Sequence, residues 1–178
     1  MTVLVDLAAE GMAVYAWTQS AGAGHSPLEI GYQRALREEG GFSYRNTLIG
    51  EVDGRVAGML VSYRLEDEEV GRDDMPPIFA PLADLEELVA GWWYLNVVAV
   101  FPQFRRRGLA SAFLDHADSF AQETGAPGAA LIAASGNAPA LALYERNGYG
   151  EAARRPMVSY PGGPEGQDWL LLTKPLGK

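Results

Sequence analysis

Three consecutive arginines and a glycine lie in the middle of the chain, between two segments of different character. An apolar, β-branched run ends at Pro102, and a helical pattern begins at Leu109. Between them lie Arg105, Arg106, Arg107 and Gly108. A strand, a glycine-containing turn and a helix in this order direct several backbone N–H groups towards one point, at the positive end of the helix dipole. Three like charges at that end are unfavourable without an anion, so the segment predicts a phosphate-binding site.

Small residues in this segment support the same prediction. Gly108 lets the backbone approach a ligand where a Cβ would intrude, and Ala110 keeps the start of the helix narrow. Successive N–H groups in such a turn form an anion-binding nest, to which arginine adds formal charge. The segment has neither the Gly-Lys-Ser/Thr of a Walker loop nor the third glycine of a dinucleotide fingerprint. The alternative is the solvated, basic start of a helix.

A second group of polar residues lies about 30 positions after the arginines, between Asn137 and Tyr144. At about 100° per residue, Asn137, Leu141 and Tyr144 fall near one face of a helix. An amide and a phenol would therefore line one groove. Taken alone, Asn137 is an ordinary helix N-cap and Tyr144 is a half-buried core aromatic.

Length and composition limit the class of protein. The chain has 178 residues, enough for one filled core, and we expect a single domain over residues 1–178. Its longest apolar runs are well below the roughly 20 residues of a membrane span. A basic segment does not precede the first apolar stretch, so we expect no signal peptide.

Cysteine content and charge exclude further classes. The sequence contains no cysteine, which excludes a disulfide framework, a thiolate metal cluster and an acyl-cysteine intermediate, and fits a cytoplasmic enzyme. The net charge of -9 argues against nucleic-acid binding. This acidity either favours a cationic substrate or serves solubility.

Periodicity in the first half predicts two helices. The first covers about residues 4–17. The second begins at Ser26 with Pro27 at the first helical position and Glu29 closing a capping box, and it ends near Gly40.

A hairpin and an insertion follow. Two β-patterned runs, residues 47–52 and 55–63, flank Asp53-Gly54, which is typical of a type I′ turn. Residues 66–91 are acidic and rich in proline, and we expect a surface insertion with a helical turn over residues 82–88.

Strands and helices alternate in the second half. Strands are predicted over residues 92–100, 129–134, 154–160 and 169–174, and helices over residues 109–125 and 137–148. The block of residues 92–147 is a βαβα unit, which implies a parallel pair of strands inside a mixed sheet.

Together, the two polar segments resemble the GNAT superfamily of acyl-CoA-dependent N-acyltransferases. The pattern consists of Arg105-x-x-Gly108-x-Ala110, then Asn137, Leu143-Tyr144 and Gly148-Tyr149. The resemblance is strong over residues 92–149. It implies an α/β GNAT fold with a twisted mixed sheet of six to seven strands, about four helices, and central parallel strands splayed where acetyl-CoA inserts. Family members usually begin with an edge strand, which here is either reduced to residues 2–5 or absent.

The resemblance also assigns roles to residues. It implies that main-chain groups of Val98, Ala99 and Val100 bind the pantetheine of acetyl-CoA, and that the Val98 N–H donates to the oxyanion. The pyrophosphate would be held by the amides of Arg105, Arg106, Arg107, Gly108, Leu109 and Ala110. Asn137 would touch the pantetheine or the reacting region, and Tyr144 would protonate or hydrogen-bond the leaving thiolate. We expect no metal ion to take part in the reaction.

The pattern leaves the general base open. Many family members carry a carboxylate on the central strand, but residues 94–98 contain no acid. A water chain, Glu86 or Glu87 would take this role, although we expect these two acids to be solvated. His25 and His116 are expected to be structural or superficial.

The expected reaction is direct transfer of an acetyl group to a primary amine, a small molecule or a peptide end, within a ternary complex. One alternative is a non-catalytic acyl-CoA-binding sensor or partner module. Another is a phosphate-binding α/β protein unrelated to CoA. The resemblance also allows a homodimer.

Overall fold

The hairpin near residue 50 follows the turn chemistry of its sequence closely. In the computed structural model, which describes residues 1–22, 24–66 and 75–177, β1 (Thr47–Val52) pairs antiparallel with β2 (Arg55–Arg64). Asp53 has a φ of 52° and Gly54 a φ of 69°, which are the two left-handed residues that a type I′ turn requires. The predicted hairpin is confirmed.

The first predicted helix is wrong in its extent, because the chain breaks it in two. α1 (Thr2–Ala8) and α2 (Met12–Ser20) are separated at Glu10 and Gly11, whose φ angles are 52° and 86°. The side chain of Asp6 accepts a hydrogen bond from the Val14 amide at 3.0 Å, which satisfies one free N–H in the first turn of α2. Since α1 begins at Thr2, residues 2–5 form no edge strand.

The third helix starts where predicted and ends early. α3 (Pro27–Ala35) has Ser26 at its N-cap and Pro27 at its first position. The Ser26 side chain makes no capping hydrogen bond, so the predicted capping box does not form. The helix ends at Ala35 and does not reach Gly40, so the predicted end is wrong.

The second half follows the predicted alternation. Its elements are β3 (Trp93–Val100), α5 (Leu109–Glu123), β4 (Gly128–Ala134), α6 (Ala138–Arg146), β5 (Gly150–Pro156) and β6 (Asp168–Pro175). α5 and α6 end just before Gly125 and Gly148, whose positive φ angles of 66° and 87° stop each helix. β5 begins and ends earlier than predicted.

The acidic insertion is not a surface segment throughout. α4 (Ala80–Glu86) lies between two short 3₁₀ turns, Pro77–Phe79 and Glu87–Val89. Leu85 is fully buried, and α4 packs against β5 and β6. Apolar side chains spaced at the helical interval therefore fold this part of the insertion onto the sheet, which corrects the predicted surface position. Residues 67–74 of the insertion lie outside the described residues.

The strands form one mixed sheet in the order β1-β2-β3-β4-β6-β5. β4 pairs antiparallel with β6, and β6 with β5. β3 and β4 are parallel, and their register joins Trp93, Tyr94 and Leu95 to Ala129, Ala130 and Leu131. The predicted α/β fold with a central parallel pair is confirmed, with six strands and six α-helices in the described residues where about four helices were expected.

Contacts divide the chain into two compact units. The first unit comprises Met1–Ser62, Asn96–Phe113 and Tyr160–Gly163, and Leu4, Met59 and Leu60 are fully buried in it. The second unit comprises Tyr63–Leu95, Leu114–Ser159 and Pro164–Lys178, and buries Leu85, Leu114, Leu131 and Leu171. Organisation as a single domain stays a prediction.

Replacing Gly58 of β2 with alanine should destabilise the first unit. A Cβ at this position would lie 2.5 Å from the carbonyl oxygen of Ala99 and 3.2 Å from Val100 Cα. Since backbone cannot move aside as a side chain can, we expect the free energy of unfolding to fall by about 1–3 kcal/mol. Urea denaturation followed by circular dichroism measures it.

Gly150→Ala is the matched control, because Gly150 also lies in a strand and a Cβ there meets nothing within 4 Å. Alanine at Gly150 should leave stability unchanged or raise it slightly, since alanine restricts the unfolded chain. Equal effects of the two substitutions would contradict the close approach of β2 and β3.

Candidate active site

The amide loop, residues 105–111, joins β3 to α5 in the first unit. Arg106 has a φ of 63° and Gly108 a φ of 83°, so the chain bends twice before α5 begins at Leu109. Within the described residues, six consecutive amides have no hydrogen-bond acceptor: those of Arg106, Arg107, Gly108, Leu109, Ala110 and Ser111. The Arg105 amide instead donates to the Pro102 carbonyl at 3.3 Å.

Close packing holds this loop from both sides. A Cβ at Gly50 of β1 would lie 2.7 Å from a methyl group of Leu109 and 2.8 Å from the ring of Phe113. The first turns of α5 therefore pack against β1 at a point that only glycine allows. On the other side, the Arg105 side chain donates through Nε to the Val100 carbonyl at 3.1 Å, which ties the loop to the end of β3.

Arginines surround the loop with positive charge. The guanidinium groups of Arg55 and Arg107 lie 5.4 Å and 5.8 Å from the ring centroid of Phe104, which is buried. This stacking keeps two cations near the loop, and within the described residues neither forms an ion pair with an acid. Six free amides at a helix N-terminus and several arginines fit a ligand with two or more negative charges, such as a diphosphate.

The end of β3 offers main-chain groups. On the β2 side, the Phe101 amide donates to the Ala57 carbonyl at 2.9 Å, so pairing continues to the end of the strand. The parallel pairs with β4 comprise Trp93, Tyr94 and Leu95. Val98, Ala99 and Val100 follow in the same strand, and the N–H and C=O groups of a strand can bind an extended ligand.

Tyr144 lies on α6 in the second unit. Its side chain is buried, and among the described residues its hydroxyl has no hydrogen-bond partner. Burial raises the pKa of Tyr144 to about 12. The phenol therefore keeps its proton at any ordinary pH and can donate a hydrogen bond.

A polar cluster lies behind Tyr144. The Tyr149 ring meets Tyr144 edge-on with centroids 6.1 Å apart, and its hydroxyl donates to Asp118 at 3.4 Å. The Lys174 ammonium forms an ion pair with Asp118 and lies 5.8 Å from the Tyr149 ring centroid. Burial, followed by the negative charge of Asp118, raises the pKa of Tyr149. This cluster fixes Tyr149, and Tyr149 in turn supports the Tyr144 ring.

Asn137 acts as the N-cap of α6. Its side-chain oxygen accepts a hydrogen bond from the Ala140 amide at 3.3 Å. The ordinary N-cap that the sequence allowed is therefore present, and the NH₂ group of the side chain remains for a ligand.

The sequence itself decides the family. A sequence model of the acetyltransferase (GNAT) family matches residues 12–149. The chain belongs to the GNAT acetyltransferase family. The family resemblance predicted from the two polar segments is thus confirmed.

Solved structures confirm the GNAT fold. A crystal structure of an acetyltransferase superposes with a TM-score of 0.67 at 21% identity, over 99% of this chain and 93% of that chain. The ribosomal-protein-S18-alanine N-acetyltransferase of Escherichia coli superposes with a TM-score of 0.56 at 22% identity, over 94% and 88%. A GNAT family acetyltransferase of Elizabethkingia anophelis with acetyl-CoA bound gives 0.52 at 16% identity, over 73% and 75%.

Other comparisons add little to the GNAT assignment. Curated protein sequences contain no significant match to this chain. In the described part of the chain, none of the helices has the length and apolar character needed to cross a bilayer. The same residues contain no group of three histidine or acidic side chains that could hold a metal ion.

The predicted site residues divide between the two units of the GNAT fold. The first unit brings together Val98, Ala99, Val100 and the amide loop, and the second contains Asn137 and Tyr144. The sequence missed Arg55, which lies 50 positions before Arg105 and whose stacking on Phe104 no local pattern signals. The link from Tyr149 to Asp118 was missed for the same reason.

Replacing Lys174 with methionine should destabilise the second unit. Asp118 is only 14% exposed, so its carboxylate would lose its cation while largely shielded from water. We expect the free energy of unfolding to fall by more than the ~1 kcal/mol of an exposed pair and less than the ~3–5 kcal/mol of a fully buried one. Urea denaturation at neutral pH checks this.

The control is Arg154→Met, which removes a cation from β5. Arg154 pairs with Glu151 at 2.7 Å, but both side chains are well exposed, at 56% and 39%. Solvent screens this pair, so no measurable change is expected. A loss as large as that of Lys174→Met would argue against a special role of the buried cluster.

Proposed function

We propose that this protein transfers the acetyl group of acetyl-CoA to the nitrogen of a primary amine. The amide loop carries the proposal, because six free amides and nearby arginines suit the pyrophosphate of CoA and serve no partner within the described residues. Membership of the GNAT acetyltransferase family supports the same donor. The E. anophelis relative with acetyl-CoA bound supports it further.

The cofactor sites proposed for the first unit form a continuous track along the chain. Main-chain groups of Val98, Ala99 and Val100 would bind the pantetheine, and the amides of the loop would bind the pyrophosphate. Of the amides expected from the sequence, these are Arg106, Arg107, Gly108, Leu109 and Ala110, to which the free Ser111 amide is added. The Arg105 amide donates to the Pro102 carbonyl and is not among them. Asn137 would contact the pantetheine through the NH₂ group that its capping bond leaves available.

The proposed transfer needs a donor for the oxyanion and an acid for the sulfur. The nitrogen lone pair of the neutral amine forms the C–N bond, and the Val98 N–H stabilises the charge on the carbonyl oxygen. The C–S bond then breaks, and the sulfur leaves with the electron pair. Tyr144 supplies the proton for the thiolate and regains one from solvent. The nitrogen gives one proton to solvent as the amide forms, so a neutral amine yields the acetamide and the free thiol of CoA with no net release of a proton.

Several features of the reaction stay predictions. Direct transfer within a ternary complex is proposed because the chain has no cysteine to form an acyl-enzyme. A single functional domain, a cytoplasmic location and a homodimer are likewise expectations from the sequence. The neighbour from E. coli acts on an alanine of a ribosomal protein, which makes peptide amines one class of acceptor to test.

Gly108→Ala should weaken acetyl-CoA binding. Gly108 has a φ of 83°, where alanine is strained, so the loop must shift and its amides lose their common direction. We expect the dissociation constant to rise about 10-fold, as for a loss of about 1.4 kcal/mol. Calorimetric titration with acetyl-CoA measures this.

Gly54→Ala controls for strain alone, because Gly54 has a φ of 69° in the β1–β2 turn and equally open surroundings. It should lower stability without changing affinity. S-acetylpantetheine, which lacks the pyrophosphate, should bind Gly108→Ala and the unaltered protein equally. If Gly108→Ala lost as much affinity for S-acetylpantetheine as for acetyl-CoA, the pyrophosphate would not be bound by the amide loop.

Tyr144→Phe should lower kcat and leave the KM for acetyl-CoA nearly unchanged. Loss of a positioned acid costs about 10²-fold or more in turnover. Because burial raises the pKa of Tyr144 from 10.0 to about 12, the wild-type kcat should not fall as the pH rises through 10. Steady-state thiol release against pH measures both effects.

The same variant separates the enzyme from the non-catalytic alternative. A sensor or partner module would bind acetyl-CoA and release no thiol with any amine, and Tyr144→Phe would then change nothing. Retention of full turnover by the variant would remove Tyr144 from the mechanism while leaving the acetyl transfer itself in place.

A further inference from the structure

Glu86 provides a carboxyl group in the second unit. It ends α4 and is half-buried. Within the described residues, no lysine, arginine or histidine forms an ion pair with it. A carboxylate that loses part of its hydration is stabilised by a cation. Glu86 can therefore receive a positively charged ligand.

Two tyrosines accompany this carboxyl. Tyr94 of β3 is buried and donates a hydrogen bond from its hydroxyl to Glu86. Tyr63 of β2 meets Tyr94 edge-on, with ring centroids 5.9 Å apart and an interplanar angle of 71°. A carboxylate beside two phenol rings is a suitable environment for an alkylammonium group, which is attracted by both the charge and the ring faces.

The surroundings change the proton affinity of this group. Burial raises the pKa of Glu86, and the hydrogen bond from Tyr94 opposes this change. Burial, followed by the charge of Glu86, raises the pKa of Tyr63, so that phenol stays neutral. From β5, on which α4 packs, Arg155 reaches Asp84 at 3.8 Å and forms no pair with Glu86. Glu86 can therefore accept a proton nearer neutral pH than an ordinary glutamate.

We infer that Glu86, together with Tyr63 and Tyr94, binds the acceptor as an ammonium ion and removes its proton, so that the acceptor class is a cationic alkylamine without a carboxylate beside its amino group. The inference rests on the proposed acetyl transfer, for which it supplies both the substrate class and the base. It places the base on α4, outside the strand that contains no acid.

The proton balance of this step is simple. The ammonium ion gives one proton to a carboxylate oxygen of Glu86 and becomes a neutral amine with a free lone pair. That lone pair forms the C–N bond of the proposed transfer. Glu86 returns its proton to solvent after the acetamide leaves. An acceptor with its own α-carboxylate would bring a second negative charge towards Glu86, which disfavours it.

Protein stability distinguishes the proposed role of Glu86 from a purely structural one. Because the pKa of Glu86 is raised, its contribution to folding is most favourable in acid and is lost as the pH rises through the folded-state pKa. Glu86→Gln removes the buried charge and should raise the melting temperature near neutral pH, but not in acid. A glutamate kept for stability would instead give a lower melting temperature at neutral pH.

The main experiment compares two matched acceptors, pentylamine and norleucine, which differ by one α-carboxylate. Wild-type protein should acetylate pentylamine and the diamine cadaverine at least about 10-fold more efficiently than norleucine, measured as kcat/KM by thiol release. Glu86→Gln should reduce kcat/KM for pentylamine by about 10²-fold at neutral pH. The loss should shrink as the pH rises, since free amine becomes abundant. The KM for acetyl-CoA should not change.

Two further variants sharpen the test. Tyr94→Phe removes the hydrogen bond that lowers the pKa of Glu86, so the acid limb of the pH profile should move to higher pH. Glu123→Gln removes an exposed acid at the end of α5 and should leave rate, pH profile and melting temperature unchanged. A structural role of Glu86 would not move the acid limb.

The outcomes separate the inference from the proposed function. If wild-type protein acetylates amines while Glu86→Gln keeps the same rate and pH profile, the transfer stands and the role of Glu86 is wrong. If norleucine is the better acceptor, the substrate class is wrong. If no amine is acetylated, the proposed function fails. Equal calorimetric binding of cadaverine to wild-type and Glu86→Gln protein, each with CoA present, would then reject the ammonium site as well.

Discussion

Free hydrogen-bond donors in the amide loop are the constraint on which the first unit depends. Six N–H groups in succession have no acceptor within the described residues, and because Arg106, Arg107 and Gly108 are exposed, water or a ligand can satisfy them. Gly50 and Arg105 supply that support by tying the start of α5 to β1 and to the end of β3. These contacts keep the N–H groups of the loop in a fixed arrangement, in which an anion can accept hydrogen bonds from several of them.

Burial of titratable groups governs the chemistry of the second unit, with opposite consequences for two residues. Burial raises the pKa of Tyr144, which keeps the phenol protonated and able to donate a hydrogen bond. Burial also raises the pKa of Glu86, which makes the carboxylate more basic and suited to accept a proton. One physical effect can therefore prepare a hydrogen-bond donor and a base in the same protein, because the neutral form of each group is favoured away from water.

The sequence predicted those features that local chemistry determines. The Asp53-Gly54 turn, the amide loop around Gly108 and the glycines that end α5 and α6 each need a particular backbone angle, and this requirement is visible in the residue types. Glu10 carried no such signal, so the break between α1 and α2 was missed. The partners of Asp118, which are Tyr149 and Lys174, lie 31 and 56 positions further along the chain. Only the folded sheet brings them together, and no spacing rule could anticipate it.

The close packing at Gly50 has a consequence for how the chain can vary. A side chain at Gly50 would meet Leu109 and Phe113 at less than 3 Å, so it could be accommodated only if the start of α5 moved or lost volume. Movement there would displace the backbone that leads into α5. Position 50 and the first turns of α5 are therefore free to change only together.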